Sequence, residues 1–185
     1  MTEYLIGIVA AALVNDMTLS REESDTLPLL KRAAGLGGMT VAVTLCASVL
    51  SYALYYGALA PLGLQSAWVP LFLLVTAACA ALTGRLARNS NGPCAAFLET
   101  NWPLVTLNAA VLGVLIHGVS AGYSFSGYVL SALAVSVLFG VSLTLMTAIQ
   151  ARMDTDALPE TVRGLPAYLL TAALISMALM AFNGL

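Results

Sequence analysis

The chain has 185 residues, 60% of them hydrophobic and only 9% charged, with a formal net charge of −2. Such a composition cannot cover a water-facing domain with polar side chains, so it excludes an ordinary soluble fold and points to a membrane. Nucleic acid is not an expected partner either, because no basic stripe exists and the charges form short clusters between long apolar runs.

Crossing about 30 Å of hydrocarbon takes roughly 20 residues of helix. Six stretches meet that need, over about 3–19, 34–57, 66–84, 101–119, 126–149 and 165–183. A barrel would show alternating polarity in short strands, which is missing here. The first stretch, "MTEYLIGIVAAALVND", has no basic residue ahead of it and no small-residue cleavage site, so it reads as a span and not as a secretory leader. It ends near Asn15 and Asp16. A carboxylate inside a membrane is by default a functional candidate for ion or proton coupling, or for a partner's cation. The closeness of Arg21 favours the plainer reading, a solvated carboxylate at the interface, and Glu22, Glu23 and Asp25 continue as a solvated loop face.

The second span opens on "GLGG" from Gly35, which lacks the setting of a nucleotide-binding turn and is expected to permit close helix packing. Cys46, Cys79 and Cys94 are too scattered for a disulfide or metal pattern. The first two are expected as small packing residues within spans. No Walker loop, zinc-binding His-Glu-x-x-His or nucleophile elbow occurs. Tyr55, Tyr56, Trp68 and Trp102 fall near span ends, where aromatic rings anchor at headgroups. The fourth span contains "PLVTLNAAVLGV", with Pro103 near its start and Asn108 in its middle. Together with the short first span it is expected to be irregular or only partly helical. Glu99 and Asn101 suit a helix start ahead of Pro103, and His117 an outer interface.

Every basic residue falls in an alternate connection: Arg21, Lys31 and Arg32 after span one, Arg85 and Arg88 after span three, Arg152 and Arg163 after span five. By the positive-inside rule these connections are cytoplasmic, and with six spans both termini are then outside. The expected architecture is all-α, a single polytopic membrane domain of six transmembrane helices. Two three-helix repeats, about 1–88 and 89–185, would be inverted relative to each other because each has an odd number of spans. "AAALVNDMTL" and "PLVTLNAAVL" each set an asparagine in an apolar run in the first span of a half. Asn15, Asp16 and Asn108 are therefore the candidate ion-path or interrupted-helix residues.

Three segments, "YLIGIVAAALVND", "GPCAAFLETNWPLVTLNAAVLGV" and "AIQARMDTDALPETVRGLPAYLLTAALISMALMAFNGL", resemble in order and spacing the A subunit of Rnf electron-transport complexes. That protein is itself similar to the E subunit of the sodium-pumping NADH:quinone reductase. The resemblance implies six helices in an inverted repeat, in the inner (plasma) membrane. It also implies partnership with a homologous six-helix subunit of opposite topology, with further subunits of the complex and with membrane lipid. In the family, the two homologous subunits hold a two-iron, two-sulfur cluster midway through the membrane, each supplying two cysteines.

The chain departs from the family at those ligands. The family's second cysteine directly follows the asparagine, where this chain has Ala109; the first belongs to a loop after span one, where this chain reads "LSREESDTLP". Alanine cannot ligate iron, and His117, Cys46 and Cys94 are not at ligand positions. The expectation is a subunit of an ion-translocating oxidoreductase complex that is structural or ion-path-forming and holds no cluster or other cofactor. Two alternatives stand beside it. One is a non-redox scaffold or accessory subunit of another membrane complex, the other a small transporter with a midplane site built from Asn15, Asp16 and Asn108.

Overall fold

The computed structural model describes residues 2–21, 29–63, 67–88, 108–152 and 165–181. Among the described residues the regular elements are helices, as expected where lipid leaves backbone groups no external partner. They are α1 (Thr2–Arg21), α2 (Leu29–Leu54), α3 (Trp68–Arg88), α4 (Ala109–Ser120), α5 (Phe125–Arg152) and α6 (Leu165–Ala181). A π turn, Tyr55–Leu59, and a last helical turn, Ala60–Leu62, prolong α2 to Gly63, whose φ of 69° ends it in the left-handed conformation.

By length and composition three segments suffice to cross a membrane: Leu30–Leu59, Trp68–Leu86 and Phe125–Arg152. Shorter apolar segments are Gly7–Met17, Ala109–Ser120 and Pro166–Ala178. Large apolar side chains also remain on the outside, among them Leu130, Val137, Val141 and Leu145 on α5 and Leu169, Leu170, Leu174 and Met177 on α6. An apolar exterior of that extent suits hydrocarbon or protein neighbours and not water.

The bundle is organised around α2 and α5. Gly37 meets Gly140, and Ser51 meets Tyr128, so the two helices run antiparallel along most of their length. A Cβ added at Gly37 would lie 3.0 Å from the Gly140 Cα. The "GLGG" motif thus does what its composition predicts, letting two backbones touch, and dispersion between them replaces the hydrophobic force that lipid removes. α1 lies parallel to α5: Ile8 shares a cavity wall with Val135, and Asp16 bonds Thr147. α4 is antiparallel to α5, with Ala110 beside Ser136 and Leu115 joined to Tyr128. These relative directions agree with a chain that reverses at each pass.

Polar side chains inside the bundle are mostly satisfied by their own helix. Thr40 Oγ1 donates to Leu36 O at 2.8 Å, Thr44 Oγ1 to Thr40 O at 2.6 Å and Thr76 Oγ1 to Phe72 O at 2.9 Å. These hydroxyls therefore occupy small core volumes without needing water. Tyr128 instead bridges helices: its hydroxyl donates to Leu115 O at 3.0 Å and lies 3.0 Å from Ser51 Oγ, and its ring covers Gly118. The span-end aromatics gather at that end of the bundle, with Tyr52 packed on Tyr56, Phe125 and Tyr128, and Tyr55 near Trp68.

Two expectations are corrected. Cys46 is exposed on α2 and is not a packing residue, whereas Cys79 is buried as expected. Arg32, counted as a loop charge, lies within α2 and is buried, because α2 begins at Leu29 and turns that position onto the face that carries Leu36 and Thr40.

The Tyr128 ring makes a steric prediction. A Cβ at Gly118 would sit 2.4 Å from Tyr128 Cδ2, while Gly113, on the same helix, has open space. Gly118→Ala should lower thermal stability in detergent by about 1–3 kcal/mol through overpacking. Gly113→Ala should be neutral or gain up to about 1 kcal/mol from reduced backbone entropy in the unfolded chain. Equal melting temperatures for the two variants would contradict the packing.

Candidate functional site

Asn108 explains the break in the fourth apolar stretch. Its backbone is extended, with φ −72° and ψ 111°, and α4 begins at the next residue. The free N–H groups of a helix start need acceptors, and a membrane interior offers no water to provide them. Asn108 supplies one itself: its Oδ1 accepts from Ala110 N at 3.0 Å, and its carbonyl accepts from Leu112 N at 3.2 Å. The residue is only 3% exposed, and among the described residues its Nδ2 finds no acceptor. Glu99, Asn101, Trp102 and Pro103 lie outside the described residues.

The level of this cap is set by its neighbours. Ala110 and Val111 share a crevice with Thr40 and Thr44 of α2 and with Val135, Ser136 and Phe139 of α5. The α5 residues are midway between Phe125 and Arg152, so α4 starts at mid-height in the bundle. Its 12 residues rise only about 18 Å, roughly three-fifths of a full crossing of about 30 Å. An uncharged amide at mid-height is therefore a helix cap, and the polar group has its structural reason.

Ala109 is the first residue of α4 and is exposed. It lines a cavity of about 130 Å³ with Gly7 and Ile8 of α1, Ala110, Gly113 and Val114 of α4, and Val135 of α5. Small apolar groups make up this wall. Among the described residues no thiol, imidazole or carboxylate belongs to it, and no group of three or more His, Cys, Asp or Glu residues that could hold a metal occurs. Cys46 and Cys79 belong to α2 and α3 and do not line it, and His117 is two turns along α4, packed edge-on against Tyr123. Among the described residues, the side chains around Ala109 offer no thiolate or imidazole donor. Cys94 and residues 22–28 lie outside the described residues.

The other two candidates take different places. Asn15 is buried, but α1 runs unbroken from Thr2 to Arg21, so the expected interruption of the first span is absent. Asp16 is 0% exposed and accepts or shares a proton with Thr147 Oγ1 at 2.6 Å, which overturns the reading of a solvated interfacial carboxylate. Its burial was legible in the spacing of four that joins Ile8, Ala12 and Asp16 on one face. Thr147 is about 18 Å along α5 from Val135 by helical rise, so Asp16 and Asn108 lie at different levels and do not form one cluster. Sequence reasoning missed Arg32, which the antiparallel register of α2 on α5 brings to the level of Met146 and Thr147, near that of Asp16.

Residues 28–185 match the family described as Rnf-Nqr subunit, membrane protein. The chain belongs to the Rnf-Nqr family. It is 31% identical over 183 residues to the A subunit of the Na(+)-translocating ferredoxin:NAD(+) oxidoreductase complex of Acetobacterium woodii, covering 96% of this chain and 95% of that protein. Similarity to the A subunits of two complexes named ion-translocating oxidoreductase spans 100% of this chain and 98% of the relative in each case. The identities are 31% for that of Aliivibrio salmonicida and 32% for that of Shigella sonnei. The chain is thus a membrane protein of the family to which its three quoted segments point.

Asn108 and Ser131 separate a polar group that organises backbone from one that does not. Ser131 Oγ donates to its own helix at Tyr128 O, 2.8 Å away. Asn108→Leu should lose the cap, at about 1 kcal/mol or somewhat more. Folded yield in detergent should fall measurably, while Ser131→Ala should leave it within error. Equal yields would remove the structural role of Asn108.

Proposed function

We propose that the chain is an integral membrane component of an ion-translocating oxidoreductase assembly of the Rnf-Nqr type, contributing structure or part of an ion path and holding no iron–sulfur cluster of its own. The observation that carries this is Ala109: the half-length helix and its asparagine cap persist, while the position where the family resemblance implies a ligand bears a methyl group in an apolar wall. Iron–sulfur clusters need thiolate or imidazole donors, and methyl groups provide neither. Electrons in such an assembly would run through other subunits.

The fold in this reading has six membrane spans in two inverted repeats, about 1–88 and 89–185, both termini outside, in the inner (plasma) membrane. The alternation of basic connections supports it, as do the opposed directions of α2 and α4 against α1 and α5. Its partners are the surrounding lipid, a homologous six-helix protein and further subunits of the complex, on the strength of relatives named as complex subunits. The separation of Asp16 from Asn108 counts against a small transporter with one midplane site.

Three measurements test the proposal. Anaerobically purified chain should contain no stoichiometric iron or acid-labile sulfide, and Ala109→Cys alone should add none because the loop partner is missing; iron in the unmodified chain would refute the cluster-free reading. Purification in mild detergent should retain a homologous six-helix protein, and retention of an unrelated complex instead would favour a scaffold. In a variant free of native cysteines, Ser124→Cys should react with a membrane-impermeant thiol reagent on intact cells and Ser90→Cys should not. The reverse pattern would invert the topology.

A further inference from the structure

We draw no further inference here: the strongest candidate, the apolar cavity of about 130 Å³ between α1, α4 and α5 beside Ala109, belongs to the site already described, and nothing in the structure shows what covers it.

Discussion

Lipid accepts no hydrogen bonds, and the rest of this structure follows from that constraint: each polar group inside the bundle must find its partner within the protein. The cheapest answer is local, and most buried threonines and serines use it by donating to a carbonyl one turn back. Asn108 meets the same demand where α4 begins and exposes free N–H groups at mid-height. Tyr128 meets it across helices, joining α5 to α4 through Leu115 O and to α2 through Ser51. The buried polar residues thus sort into those that fill space, those that start a helix and those that tie helices together.

Close packing of α2 on α5 supports these arrangements. Where Gly37 touches Gly140 the backbones are near enough for small side chains along the seam to stay in contact. The hydroxyls of Thr40, Thr44, Ser48 and Ser51, all fully buried, lie along this stretch of α2 and bring little volume with no unsatisfied proton. At one end of the seam the Tyr128 ring takes the space over Gly118, and near the other Arg32 and Asp16 are both buried. The rigid middle therefore holds apart an aromatic end and a charged end.

Much of the helical fold was legible because lipid imposes simple rules on sequence: long apolar runs, and glycine where helices touch. The start of α4 was legible too, since an asparagine can cap a helix even within an apolar run. What escaped was side-chain direction near helix ends. Asp16 read as interfacial because Arg21 is close in sequence, yet the face it shares with Ile8 and Ala12 turns inward. Arg32 escaped for the same reason, and Cys46 faces out although its neighbours Val43 and Ala47 are buried. Asn15 and Asn108 looked alike in sequence but differ in structure: Asn15 lies within α1, and Asn108 caps α4.

The separation of scaffold from ligand at Ala109 follows from the same physics. The Asn108 cap uses a side-chain oxygen and the backbone of residues 108–112, and no atom of the Ala109 side chain takes part. A cysteine at that position would add a sulfur to the cavity wall without altering what holds α4 in place, so the ligand is separable from the fold. With alanine there, the half-length helix, its mid-height start and the packing against α1, α2 and α5 are in place. The demand to satisfy backbone donors persists whether or not a cluster is present, and that demand alone is enough to retain the asparagine.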